Sequence, residues 1–359
     1  MIRLIKRKTF KIRSKLFARA TLVEGHLKGT NTLFRCLFVD NTNFIDFMMK
    51  RMYESPPTVL RNHHILIPTL KQKILKNTGA FDLCIAVLPK FYESKFQALY
   101  DYKSTEWVRQ IISTSGSWQD VRSKFSKTKR RISNAFEKKF GLEYHISSDL
   151  EDFDYFYNRM FIPHTNKRFK DLSEIDSYNN MRSFFKKGKL LLITKDNEII
   201  AGSLFLVNNE KLTFHRTGVL DGNDKYIKGG AQLALYYFLI KYAIDQKFHA
   251  VDTMMSSSIL NDGVYKNKKQ WGASVFPDER SANWIFYFNA RPSEKIAQFF
   301  EKNPMVVYSS QGLKGVIGDS NSENNSSEYI NELTSRYQVN GLERFNIVTS
   351  TNIIESKVS

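Results

Sequence analysis

KLLLITKDNEIIAGSLFLVNNEKLTFHRTGVL, residues 189–220, decides the fold. Three apolar runs (189–195, 198–207 and 211–220) follow in quick order, with Asp196-Asn197 and Asn208-Asn209 at the junctions. Asn and Asp tolerate left-handed backbone, so these junctions read as turns of an antiparallel meander. KGGAQLALYYFLIKYAIDQKFHAVDT, residues 228–253, comes next. Leu233 to Ile244 is almost continuously apolar, which predicts a buried helix over 231–245, and 249–253 predicts a fourth strand. The order is therefore β-β-β-α-β. One sheet is expected to hold all four strands, with the helix packed on it. WIFYF, residues 284–288, predicts a further strand.

Toward the N-terminus, residues 117–140 predict one helix. Val121, Phe125, Thr128, Ile132, Phe136 and Phe140 mark its apolar face, and Gly141 its stop. From Val121 to Phe140 eight Lys/Arg face a single acid, Glu137. Such a stripe reads either as a solvated face or as a ridge for phosphate or an acidic carrier. Residues 149–187 predict helix interrupted by a polar loop at 164–170. Strands are expected at 33–40, 63–68 and 81–88, with a short helix at 44–54 ended by Pro56-Pro57. Residues 315–327 turn to Ser, Asn, Asp and Gly and read as a flexible linker.

The chain of 359 residues can bury a sizeable core, with 42% hydrophobic residues and a formal net charge of +18. That charge implies acidic partners: nucleic acid, anionic lipid, an acidic carrier protein or phosphorylated small molecules. Two cysteines exclude a disulfide framework or a Cys₄ zinc site, and both, Cys36 and Cys84, sit in apolar runs that predict buried thiols. The seven histidines show no metal-binding spacing, so no metal is expected. No apolar run is long enough to span a bilayer. Arg3 to Lys28 carries nine Lys/Arg against one Glu, which reads as a solvated basic start or a peripheral contact with anionic membrane. The expected place is the cytoplasm, with the inner membrane face as the peripheral option.

Four features in order carry a resemblance. They are WQDVRSKFSKTKRRISNAFEKKFG (118–141), KLLLITKDNEIIAGSLFL (189–206), the 231–245 helix running into a strand ending at Asp252, and GVYKNKKQWGA (263–273). Together they resemble the FemAB-like branch of the GNAT superfamily of N-acyltransferases, over about 116–290. The resemblance implies an α+β fold, a mixed twisted sheet flanked by helices, with two tandem GNAT-like domains as one option. Its implied division is 1–115 as a reduced first copy, 116–290 as the acyltransferase domain, 291–314 as an extension and 315–359 as a flexible polar tail.

The activity implied is acyl transfer to an amine of an amino sugar, amino acid or cell-envelope precursor. The donor is acyl-CoA or an acyl-carrier protein. One alternative is aminoacyl transfer from charged tRNA to a peptidoglycan-like precursor; another is a non-catalytic nucleic-acid-binding module. YIKGGAQ keeps the glycines of the family's pyrophosphate loop but not its spacing.

Amide formation needs the amine deprotonated, the carbonyl polarised and both held together. Lys266 is the candidate for polarisation or phosphate contact, against a surface lysine. Tyr265 is a candidate acid, against packing. Asp252 is a base or orienting group, against a loop brace. His215 is a base if it faces the cleft, against a structural strand histidine. Lys228, Gly229 and Gly230 are candidates for donor phosphate at a helix N-terminus, against a plain turn. Lys127, Lys129, Arg130 and Arg131 are candidates for donor or carrier contact.

Overall fold

The apolar runs become strands in two units. The computed structural model describes residues 16–40, 42–169, 175–320 and 326–357, so most of the basic start lies outside the described residues. Unit 1 comprises Met1–Val108, Ser256–Tyr265 and Phe276–Ser359; unit 2 comprises Arg109–Met255 and Lys266–Val275.

In unit 1, β1 (Phe17–His26), β2 (Leu33–Asp40), β3 (Thr58–Leu66), β4 (Leu83–Pro89) and β5 (Tyr102–Ser104) share a sheet with β13 (Asn283–Phe288), in the order β3-β1-β2-β4-β13-β5. Helix α1 (Phe44–Met52) and the helix Glu294–Lys302 bury their apolar residues on one face, and α2 (Leu70–Lys76) on the other. WIFYF is apolar throughout because β13 is central: Ile285 and Tyr287 enter one core, Trp284, Phe286 and Phe288 the other. This strand pairs with β4 and β5, so residues 276–290 fall in unit 1 and not with 116–275 as expected.

The expected polar tail is also corrected. β14 (Met305–Ser309), β15 (Gly312–Gly318), β16 (Arg344–Val348) and β17 (Ile353–Lys357) form a four-stranded sheet. Val316, Ile317, Phe345 and Ile347 are buried. The short apolar runs in GLKGVIG and RFNIV, buried at consecutive positions, outweigh the polar composition of the segment between them. Cys36 and Cys84 are buried free thiols. Among the described residues no helix is long and apolar enough to cross a membrane.

In unit 2, β6 (Trp107–Ser113), β7 (Glu143–Ser147), β8 (Gly188–Lys195), β9 (Glu198–Asn208), β10 (Lys211–Val219), β11 (Ala250–Ser257) and β12 (Ser274–Phe276) form one mixed sheet, ordered β12-β6-β11-β10-β9-β8-β7. The four expected strands share it. Strands β7 to β10 are antiparallel, with Asp196, Asn197 and Asn209 left-handed at the turns. β10 and β11 are parallel, joined through the buried helix Ala231–Asp245. The architecture is α+β, with mixed sheets flanked by helices, as expected.

Two helical expectations are corrected. The 117–140 helix is broken into Trp118–Ser123 and α3 (Lys127–Lys138), because Ser126 starts a new N-terminus: its Oγ accepts from Lys129 N–H. Residues 164–169, expected as loop, are helical in Ile162–Phe169, preceded by a π-helical segment Phe156–Phe161. That segment lies on the sheet where Gly202 and Gly218 are direct cross-strand partners. A Cβ on Gly218 would sit 2.5 Å from Met160 C, and one on Gly202 would sit 2.7 Å from the Phe156 ring. Only hydrogen side chains let the π segment approach this closely.

Candidate functional site

β10 and β11 run parallel for three pairs, Lys211 with Ala250, Leu212 with Val251 and Thr213 with Asp252, and then part. On the other side of β10, the register with β9 shifts between Phe214 and Arg216, so His215 is the extra residue of a bulge. Beyond Thr213 and Asp252 the sheet is therefore split. Leu212, Phe214 and Val251 point to the core under α4, the Ala231–Asp245 helix. Thr213 and Asp252, one residue out of phase with them, face the other side.

On that side Asp252 is fully buried. Its Oδ2 accepts from Arg109, with Nε at 2.8 Å, and Lys211 Nζ lies 3.8 Å away. Its Oδ1 accepts from Met254 N–H at 3.0 Å. Both oxygens are occupied by donors, the arrangement of the loop brace, the alternative to a base. What it braces is strained: Met254 has φ +63°, which costs a β-carbon residue on the order of 1–2 kcal/mol. The other end of that peptide is gripped by Lys268. Its buried Nζ donates to Met255 O at 2.8 Å and Met254 O at 3.4 Å. Arg109 and Lys268 escaped the sequence reading. Arg109 lies in the segment assigned to another domain. Lys268 was legible in principle: Tyr265, buried, sets the inner face of α5 (Gly263–Gln270), and helical spacing puts i+3 on that face.

Lys266, the expected polarising residue, is exposed on α5. Tyr265 is buried in unit 1, whereas Lys266 belongs to unit 2. Burial pushes its phenol well up. Its side chain is packed in the interior, the setting expected for a packing role.

The basic ridge divides. Lys127 and Arg131 are exposed. Arg130 NH1 donates to Ser123 O at 3.0 Å and Phe125 O at 2.6 Å, tying the broken helix together. Lys129 is 5% exposed. Its Nζ donates to Asn267 Oδ1 at 2.8 Å and lies 5.1 Å over the Trp271 ring. Burial pushes its ammonium down to about 8. Asn267 also bonds the Tyr236 phenol, which burial drives up to about 12 against that bond. Tyr236 stacks on Trp271 and packs against Phe214 at the parting of the strands. Burial likewise lowers Lys269 to about 8.

His215 lies against Phe184, ring centroids 4.2 Å apart. Burial, helped by Arg216 and opposed by Asp176, lowers its imidazole to about 4. Among the described residues its buried Nε2 has no hydrogen-bond partner. The ring is neutral at pH 7 and offers a nitrogen rather than a strong base.

The Gly229 and Gly230 N–H groups donate to Lys225 O and Ile227 O. Gly230, at φ +87°, caps α4, and Leu233 and Ala234 N–H close onto its carbonyl. Lys228 is exposed. The groove beside this turn, about 200 Å³, is lined by Lys195 and Lys225 but also by Asp196 and Glu198, which offset them. Among the described residues no His/Cys/Asp/Glu group could hold a metal.

No protein-family model matches the chain, and no curated protein matches it. Solved structures do. FemX is similar at 10% identity over 76% of this chain and 85% of that one, with a TM-score of 0.40. The C-terminal domain of a putative lysylphosphatidylglycerol synthetase from Agrobacterium fabrum is similar at 10% identity over 76% and 81%, TM-score 0.37. A GCN5-related N-acetyltransferase-like protein from Streptococcus suis is similar at 10% identity over 75% and 83%, TM-score 0.30. These neighbours include the FemAB-like and GNAT names that the motifs resemble.

Proposed function

We propose that unit 2 is an N-acyltransferase that joins an activated acyl group to an amine. The observation that carries this reading is the parallel pair that parts after Thr213 and Asp252, beside a bulged, neutral His215. Parted strands offer backbone donors and acceptors to an extended, amide-bearing donor arm. Donor and amine are held together at the parted edge, with the amine lone pair aligned on the acyl carbon, and His215 lines that edge as a neutral side chain. The new C–N bond forms as the carbonyl–leaving-group bond breaks. The amine proton passes to solvent and the leaving group is protonated from it. Asp252, Arg109 and Lys268 fix the strained Met254 peptide at the edge of the gap and are positioning residues. Lys127 and Arg131, exposed on α3, supply the positive charge for donor phosphate.

The donor is acyl-CoA or an acyl-carrier protein, and the acceptor an amino sugar, amino acid or envelope precursor met in the cytoplasm. The deciding experiment offers the purified chain acyl-CoA, acyl-carrier protein and charged tRNA separately, each with an amine mixture. Mass spectrometry then follows donor loss and amide formation. Consumption of charged tRNA alone would replace the thioester donor; consumption of none would end the transferase reading.

A further inference from the structure

Unit 1 holds a second groove that the transfer reaction does not use. It measures about 220 Å³ and lies on the α2 side of the β3-β1-β2 sheet. Its floor is apolar: Leu22 and Leu37 from the strands, Ile65 from β3, and Phe81. Its rim is basic. Arg61 and His63 alternate with Ile65 along β3 and so share its face, and Lys73 faces them from α2. Register confirms the common face, with Arg61 opposite Leu22 and His63 opposite Ala20.

Among the described residues no acid lines the groove. The charges acting on His63 come from Lys73, Arg61 and His64, all of one sign, and they lower its imidazole together with burial. A concave apolar floor rimmed by the cations Arg61 and Lys73 is complementary to one kind of molecule: an anionic head on an aliphatic tail. An apolar solute leaves the basic rim unused, and a bare anion leaves the floor wet. The groove is a half-open cleft between strand and helix with room for one aliphatic chain.

We propose that this groove binds a free amphiphilic monoanion, a carboxylate carrying a chain of medium length. The proposal stands apart from the transferase reading, because it concerns unit 1 alone.

Calorimetric titration of the full chain tests it with octanoate, octylamine, 1-octanol and inorganic phosphate. Octanoate is expected to bind at least tenfold more tightly than each of the others. Arg61→Gln with Lys73→Gln should weaken octanoate at least tenfold, and Leu22→Trp, which fills the floor and keeps the charges, should abolish binding. Both variants should keep the wild-type melting temperature, which separates occupancy from folding. Octanol binding as well as octanoate would overturn the proposal, as would octanoate binding untouched by the double Gln variant. Binding of phosphatidylglycerol vesicles without octanoate binding would transfer the groove to a membrane surface and also overturn it.

Discussion

Lys129→Met should make the protein more stable at pH 7, and the gain should vanish in alkali. The side chain is 5% exposed, and among the described residues Asn267 is its hydrogen-bond partner; no carboxylate is paired with it. Burial lowers the ammonium to about 8 from the ordinary lysine value. That gap is worth at most about 3 kcal/mol between the charged and neutral forms, and water reaching the group reduces it. The sign follows from proton counting. Below pH 8 both folded and unfolded chains hold the proton, and the folded state carries the full desolvation cost. Between about pH 8 and 10.4 the unfolded lysine keeps its proton while the folded one has lost it, so wild-type stability rises with pH. Methionine removes the charge at every pH. The expected gain at pH 7 is about 1–2 kcal/mol, after roughly 1 kcal/mol is deducted for leaving Asn267 Oδ1 without its donor. Urea unfolding followed by circular dichroism at pH 7 and pH 10 measures it, with Lys266→Met as the exposed control. A loss of stability at pH 7, or a gain of equal size at pH 10, would refute the reasoning.

Other outcomes follow from the same geometry. Arg109→Met leaves the buried Asp252 carboxylate without its main donor and should cost about 3 kcal/mol, measured by urea midpoint. Gly218→Ala drives a Cβ into the backbone of the π segment and should cost about 2–3 kcal/mol, seen as a lowered melting temperature. Lys266→Met should leave turnover near wild type, because the side chain is exposed. Lys268→Met should lower it at least tenfold by freeing the Met254 peptide; equal activities in a donor-consumption assay would remove that peptide from the mechanism.

The sheet of unit 2 was legible because its signals are local. Turn residues at 196, 197 and 209 fix the hairpins, and Leu233–Ile244 has no polar face to show solvent. Membership of the strand 283–288 was not legible. A strand buried on both faces carries no alternation that would name its neighbours, and its partners β4 and β5 lie far away in sequence. The site divided in the same way. Period 3.6 finds the basic ridge, yet charge alone assigns every lysine of it to water. Phe125, Lys129, Ser133 and Phe136 share a helical spacing, and that apolar company is the signal for the buried lysine. Asp252 was found at its strand end, but its role depended on Arg109, which only the sheet order brings beside it.

These groups explain one another physically. A sheet built for stability would keep β10 and β11 paired, give Met254 an ordinary backbone and leave Lys129 in water. Unit 2 does none of these. It parts the strands, holds a left-handed methionine between Asp252 and Lys268, and buries over Trp271 an ammonium bonded to Asn267, with no carboxylate paired to it among the described residues. Each departure destabilises the fold by an amount comparable to a whole side-chain contact, and all three converge on β11 and the residues that pack against it. Strain and buried charge persist where the surroundings over-determine them, and they cluster at functional sites. The convergence therefore argues that the gap beyond Thr213 and Asp252 is a maintained opening and not a packing defect. A defect would be repaired by substitutions that raise stability at no loss. An opening used for chemistry would lose turnover with the same substitutions. Lys129→Met separates the two: it should stabilise the fold, and on this account it should also slow transfer.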